Sequence, residues 1–116
     1  MPERDPQELV DEATFEFTLG NHETALALLA DALAAAPESF AGWLAKAEIH
    51  FDQRDLDAAL EAAERALALD PDDVHANTSL SRIWMERGDK ERAEHFGAQA
   101  RIKGWKVELK SDPDEA

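Results

Sequence analysis

Apolar residues recur three and four positions apart in six segments of this chain, and short polar stretches separate the segments. This spacing is typical of amphipathic α-helices, each of which buries one face. The central stretch, Phe40–Asp73, contains two such segments joined by a polar turn, and it ends on Asp-Pro. Shifting the chain by 34 residues lays two further copies of this pattern over it, one on each side. The sequence therefore predicts three helix–turn–helix units.

The predicted boundaries follow from capping residues and helix breakers. Asp5 suits an N-cap and Pro6 the first helical position, while Gly20 is expected to end the first helix in a left-handed conformation and Asn21 to cap the next. The predicted helices end near Leu19, before Pro37, near Gln53, near Leu69, at Gly88 and near Lys103, where Gly104 supplies the last stop. The predicted units cover residues 6–39, 40–73 and 74–107, with a lead-in at 1–5 and an acidic tail, expected to be disordered, at 108–116.

Small residues recur at the same 34-residue spacing, which would let neighbouring helix backbones approach closely. In the central unit these small residues are Ala47, Ala59 and Ala66, and they are accompanied by Trp43 on the first helix and Pro71 at the end of the unit. The pattern resembles the tetratricopeptide repeat, a 34-residue helix–turn–helix unit, over roughly residues 6–105. The resemblance implies an all-α solenoid, wound as a right-handed superhelix, whose concave wall comes from the first helix of each unit. It also implies an adaptor or scaffold for protein–protein interaction.

The resemblance further implies which side chains would line the concave groove and bind a partner. These are Val10, Thr14, Phe17, Leu44, Glu48, Phe51, Asp52, His75, Thr78, Arg82, Met85 and Glu86. Phe17, Phe51 and Met85 share one position of the unit, so an apolar stripe edged by acidic residues is expected. Such a groove would suit an apolar peptide or helix that carries basic residues. The alternative is that Phe17 and Phe51 belong to the core.

The end of the chain allows a second interpretation of function. Trp105, Val107 and Leu109 alternate as on a strand, while Trp105 and Leu109 are also four apart as on a helix. This segment either folds back onto the last helix near Phe96 or joins a second chain, so a homo-oligomeric assembly element, such as a weak homodimer, is the alternative function. Two sites at which the first two units carry leucine towards the next unit are Glu94 and Arg101 in the third, and Lys103 stands where the second unit has Leu69. A complete array of three units is therefore expected. An accessory domain of an enzyme is a third possibility.

The charge of the chain narrows the class of partner. The net charge is −14, from 26 acidic and 12 basic residues. It disfavours nucleic acid and anionic membranes, which need a basic face, and it favours basic protein partners. The acidic residues either form a binding surface or solvate the chain, as in a salt-tolerant, halophilic composition. No apolar run could span a bilayer and the N-terminus lacks the apolar core of a secretory signal, so a cytoplasmic location is expected.

No pattern in the sequence indicates catalysis, so an enzyme is not expected and no catalytic residue is assigned. The chain has no cysteine, and its four histidines lie in separate helical segments without metal-ligand spacing. Asp70, Asp72 and Asp73 lack the glycine and the closing glutamate of an EF-hand calcium loop. No metal site and no cofactor is therefore predicted.

Overall fold

The protein folds as three helical hairpins stacked in a row. The structure is a computed structural model and describes residues 4–111. Its helices are α1 (Pro6–Thr18), α2 (His22–Ala35), α3 (Phe40–Asp52), α4 (Leu56–Leu69), α5 (Val74–Glu86) and α6 (Lys90–Ser111). The two helices of each hairpin pack against each other, and α2 against α3 and α4 against α5 join successive hairpins. The predicted all-α solenoid is confirmed.

Small residues hold the hairpins together. Buried alanines of the described helices, each at most 1% exposed, are Ala13, Ala25, Ala32, Ala47, Ala59, Ala62, Ala63, Ala66, Ala76 and Ala93. A methyl side chain lets two helix axes approach closely, and larger residues then fill the space between layers. Ile49 of α3 belongs to the core cluster of the first hairpin, while Ile83 of α5 belongs to that of the second. Each of these isoleucines therefore joins its hairpin to the preceding one.

The turns within the hairpins share one backbone conformation. Gly20, Arg54 and Gly88 have φ values of 85°, 66° and 86°, as expected of a left-handed residue after a helix. The predicted cap at Asp5 is also present, since its side chain accepts from the N–H of Gln7. Asn21 lies at the predicted N-cap of α2, but its side chain donates to Glu16 Oε1 at 2.7 Å instead of capping the helix.

In each loop between hairpins, a side chain donates a hydrogen bond to a loop carbonyl oxygen. The two donors occupy the same position of the repeat unit but are different residue types. Trp43 Nε1 donates to the carbonyl oxygen of Pro37 at 2.7 Å, and Asn77 Nδ2 donates to that of Pro71 at 3.2 Å. Trp43 and Asn77 are 34 residues apart, as are the two prolines. The indole and the amide thus supply the same donor to equivalent loop carbonyls, which would otherwise lack a partner.

The last helix is longer than the sequence predicted. It passes through Gly104 and ends at Ser111, so the predicted stop at Gly104 and the fold-back of the following segment onto α6 are both wrong. Trp105 is 64% exposed and lies on the helix. Gly104 does not end the helix because glycine in a helix costs only about 1 kcal/mol relative to alanine, and Lys103 on its N-terminal side pairs with Asp72 at 3.2 Å.

Residues 108–111 are part of α6, within the range 108–116 for which a disordered acidic tail was predicted. The remainder of that range, residues 112–116, lies outside the described residues. The division into three units and a tail stays a prediction.

The continuation of α6 through Gly104 can be tested with two glycine substitutions that should have opposite effects on stability. Gly104→Ala should raise the free energy of unfolding by about 0.5–1 kcal/mol because alanine favours a helix interior. A Cβ at Gly104 would meet Val74 Cγ2 at an ordinary 3.8 Å. Gly88→Ala should lower the free energy of unfolding by about 1–2 kcal/mol because Gly88 has a left-handed backbone, although a Cβ there would meet nothing within 4 Å. Urea denaturation measures both, and a destabilising Gly104→Ala would show that α6 ends at that glycine.

Candidate functional site

The first helices of the three hairpins, α1, α3 and α5, lie side by side and form the concave layer of the stack. Among the described helices, α1 packs against α3 and α3 against α5, whereas α2, α4 and α6 make no such contacts with one another. Side chains predicted to bind a partner from α1, α3 and α5 meet in this layer. We call the surface they form the concave groove.

A cavity of about 190 Å³ lies in the concave groove. It is lined by Phe17, Ala47, Glu48, Phe51, Asp52, Ser79, Arg82 and Ile83, which come from all three helices. Phe17 and Phe51 are half-buried: each packs against a core cluster and also faces the cavity. The two rings therefore belong both to the core and to the wall of the groove, and their role in binding a partner stays a prediction.

Arginine side chains interrupt the predicted apolar stripe at its centre. The guanidinium carbon of Arg82 lies 4.6 Å from the centroid of the Phe51 ring, and that of Arg54 lies 5.9 Å from it. Arg54 also donates to Glu86 Oε1 at 2.6 Å. A second, shallower cavity of about 380 Å³ adjoins the first and shares Phe51 and Arg82 with it. The groove is thus an aromatic floor covered by cations and not a continuous apolar surface.

Arg54 occupies a position that the other two hairpins fill with glycine. Its left-handed backbone, with φ of 66°, costs about 1–2 kcal/mol for a residue with a Cβ. The Arg54 side chain reaches Glu86 and the face of the Phe51 ring, both in the groove. Backbone strain at a residue that shapes a cleft is typical of functional sites.

A histidine from outside the concave layer contacts Asp52 and Phe17, two residues that line the first cavity. His22 Nε2 lies 2.7 Å from Asp52 Oδ2, and Nδ1 lies 3.0 Å from the carbonyl oxygen of Gly20. Its ring meets Phe17 edge-on, with centroids 5.4 Å apart. The hydrogen bond to Asp52, and next that to the Gly20 carbonyl, raise the pKa of His22, because only the imidazolium can donate to both acceptors.

The remaining predicted groove residues differ in accessibility. Val10 is only 3% exposed and lies in the first core cluster, so its prediction as a partner-binding residue is corrected: it is not available to a partner. Leu44 is half-buried and Met85 is 53% exposed. The exposed polar residues from the prediction are Thr14, Glu48, Asp52, His75, Thr78, Arg82 and Glu86. Of these, Thr14 donates its hydroxyl to the carbonyl oxygen of Val10 at 3.0 Å.

Sequence reasoning missed the roles of His22 and Arg54 in the groove. Each forms an ion pair with a groove residue 30 or more positions away, and no local pattern encodes such a pair. The repeat register gave one indication of Arg54: it is an arginine at a position that is glycine in the other two units. A side chain there strains the left-handed backbone, so its presence indicates a role for that side chain.

The described part of the chain contains no candidate metal site. Within residues 4–111, no group of three or more histidine, aspartate or glutamate side chains is arranged to hold a metal ion. No helix in the same range is both long and apolar enough to cross a bilayer. His50 is half-buried as expected of a packing residue, and burial lowers its pKa.

Comparison with known proteins gives both a sequence family and structural neighbours. The sequence model of the tetratricopeptide repeat family matches residues 10–73 and 44–107. The crystal structure of MamA superimposes with a TM-score of 0.84 at 17% identity, over 89% of this chain and 60% of that one. A second structure, MamA MSR-1 C2, superimposes with a TM-score of 0.79 at 16% identity, over 89% of this chain and 59% of that one. No curated protein matches the sequence significantly.

The two MamA structures support the fold alone, because their identity to this chain is low. The chain spans about 60% of the length of the first and 59% of the second.

The contact between His22 and Asp52 predicts a titration that differs from that of an ordinary histidine. The pKa of His22, measured by NMR, should lie above 6.5, and Asp52→Asn should lower it towards that value. A raised pKa means that this pair stabilises the fold fully below the unfolded-state pKa and that the contribution is lost as the pH rises through the folded-state pKa. His50, whose pKa is lowered by burial, is the internal control. An unchanged His22 pKa in Asp52→Asn would contradict the contact.

The strain at Arg54 can be separated from the contacts of its side chain. Arg54→Ala and Arg54→Gly both remove those contacts and differ only by a Cβ. Arg54→Gly should be the more stable variant by about 1 kcal/mol in denaturant unfolding, because glycine relieves the left-handed strain. In an ordinary helical or extended conformation the alanine variant would be the more stable one, and that result would contradict the observed backbone.

Proposed function

Because the chain belongs to the tetratricopeptide repeat family, whose fold is a scaffold for protein–protein interaction, we propose that it is an adaptor that binds a peptide or helix of a partner protein in the concave groove. The observation that carries this proposal is the cavity of about 190 Å³ with Phe17 and Phe51 in its wall. Charged side chains surround this apolar floor, so a partner would find both hydrophobic contact and orienting charges.

The charges of the groove favour a partner segment in which an apolar residue stands next to a basic one. Glu48 and Arg82 both line the cavity, and neither forms an ion pair with another residue in the range 4–111. Asp52 and Glu86, in contrast, are already paired, with His22 and Arg54. A lysine or arginine of the partner would therefore pair with Glu48, while Arg82 would receive a carboxylate or a backbone carbonyl oxygen.

The charge of the whole chain acts over a longer range in the same direction. A net charge of −14 attracts a basic segment before contact and raises its association rate. The specific contacts then depend on Phe51, whose ring offers an aromatic surface that Arg82 shields from water until a partner displaces the guanidinium. We propose a binding function without catalysis, because proteins of the tetratricopeptide repeat family are typically non-enzymatic scaffolds.

The proposed groove can be tested with peptides selected from a random displayed library. Selected peptides should be enriched in an apolar residue next to lysine or arginine, and Glu48→Lys should weaken their binding about tenfold because it replaces an attraction by a repulsion. Fluorescence polarisation measures the affinity. Amide shifts in NMR should change in α1, α3 and α5.

Glu64→Lys is the matched control, since Glu64 is an exposed glutamate of α4, outside the concave layer. It makes the same change of net charge and should leave the affinity within about twofold of wild type, because exposed charges far from the contact are screened. Peptides that bind Glu48→Lys as well as wild type, or shift changes confined to α2, α4 and α6, would refute the groove as the binding site.

A further inference from the structure

The first helix has an uncovered face at one end of the stack. Phe15 of α1 is 60% exposed, and Leu19 is 58% exposed. The residues in the position of Phe15 in the next two hairpins are Ile49 and Ile83, each 1% exposed, and each is covered by the hairpin that precedes it. We call the side of α1 that carries Glu8, Asp11, Phe15 and Leu19 the leading face. It is the surface on which a preceding hairpin would sit.

The last helix has the complementary face at the other end. In α2 and α4, the corresponding side receives the next hairpin: Leu33 Cδ2 of α2 lies within 2.9 Å of the position that a Cβ on Gly42 of α3 would take. On α6 the same side has no successor within the described chain, and it carries Glu94, Gly97 and Arg101, with the exposed Trp105 and Leu109 beyond them on the same helix. We call this side the trailing face. Gly97 also borders α5, since a Cβ there would meet Ser81 Oγ at 3.2 Å, and Arg101 Nη1 lies 3.8 Å from the same point.

The 34-residue spacing of the repeat indicates which residues of the two faces would meet. Leu33 and Gly42 are in contact within the chain, and the same positions one unit later are Leu67 and Ala76. One further step of 34 residues gives Arg101, and its counterpart is Glu8 of a second copy. The contact that is apolar at both junctions inside the chain would thus become a pair of opposite charges at the junction between two copies.

The charges of the two helices support the same match. The helix α6 holds six of the twelve basic residues of the chain and only three acidic ones. The helix α1 holds four acidic residues and no basic one. The opposite net charges of the two helices favour their association at longer range, while Arg101 and Glu8 supply the opposite charges within the two faces. This match stands out because the chain as a whole is strongly acidic.

The shapes of the two faces also fit. At the second internal junction, Ile83 shares a core cluster with Ala63 of the preceding hairpin. At the proposed junction the larger Phe15 takes the position of Ile83, while Gly97 takes that of Ala63. A bulky ring opposite a glycine preserves the combined volume of the contact.

We propose that two copies of this chain associate head to tail, with the trailing face of α6 on one copy against the leading face of α1 on the next. Arg101 pairs with Glu8 of the second copy, Phe15 is covered, and Trp105 and Leu109 bury apolar area near the N-terminal end of that α1. Because the two faces differ, each added copy leaves the same two faces free, and the association continues into an open chain of copies. The concave groove remains outside this contact.

A charge-swap experiment tests the pairing directly. Sedimentation velocity at rising protein concentration and physiological ionic strength should show wild-type species that grow beyond a dimer. Arg101→Glu alone and Glu8→Arg alone should each weaken the association about tenfold or more, because each places like charges opposite each other. Mixing these two variants in equal amounts should restore the association, since every junction between unlike copies then joins opposite charges. The double variant should associate by itself.

Glu64→Arg is the control for the change in net charge, and circular dichroism checks that each variant is folded. All the substituted side chains are exposed, so the helices should remain intact. A wild-type protein that stays monomeric at all concentrations would overturn the proposal. So would a species that stops at a dimer, or single variants whose association equals that of the Glu64→Arg control.

Because the chain has no cysteine, a crosslink gives an independent measurement. The double variant Glu8→Cys with Arg101→Cys should form a ladder of disulfide-linked multimers under mild oxidation, since the two positions meet only between copies. The matched pair Glu8→Cys with Glu64→Cys should remain largely uncrosslinked. An equal ladder from both pairs would overturn the proposed register.

Discussion

The close approach of helix backbones at buried alanines is the constraint on which the rest of this structure depends. Alanines at 34-residue spacing, among them Ala25, Ala59 and Ala93, are almost completely inaccessible, so any larger side chain there would separate the helices. This packing fixes the orientation of each hairpin relative to the next, with Ile49 and Ile83 inserted into the preceding one. Because the same contact is repeated, α1, α3 and α5 fall on one side and form the groove. The position of the groove is therefore a consequence of core packing.

The groove itself departs from the regular repeat in ways that point to binding. Arg54 keeps a side chain where the other hairpins have glycine, and that side chain covers Phe51 and holds Glu86. His22 brings a second titratable group against Asp52 and Phe17. None of these contacts is needed to stack the hairpins, since the first and third turns form with glycine. They add charge and shape to an aromatic floor that the core has left half-buried.

The two ends of the stack differ from its interior in charge as well as in exposure. Inside, the junction sites are apolar or small, as at Leu33 and Gly42. At the ends the equivalent sites carry Arg101 and Glu8, and the helices that bear them have opposite charge. Polar residues on a terminal repeat usually keep it soluble. Here the opposite signs of the two ends also make them complementary, which solubility alone would not require.

The sequence by itself determined the six helices, the left-handed turn at Gly20 and the all-α stack, because each depends on a residue type or a spacing along the chain. It also indicated Phe17, Glu48, Phe51 and Arg82 together, since the repeat places equivalent positions on one wall. Only the tertiary structure decided that Val10 is core, that Arg82 lies over Phe51 and that His22 reaches Asp52. It likewise decided that α6 continues past Gly104. The physical reason is that burial and pairing depend on residues distant in sequence, whereas periodicity reports only which side of a helix each residue is on.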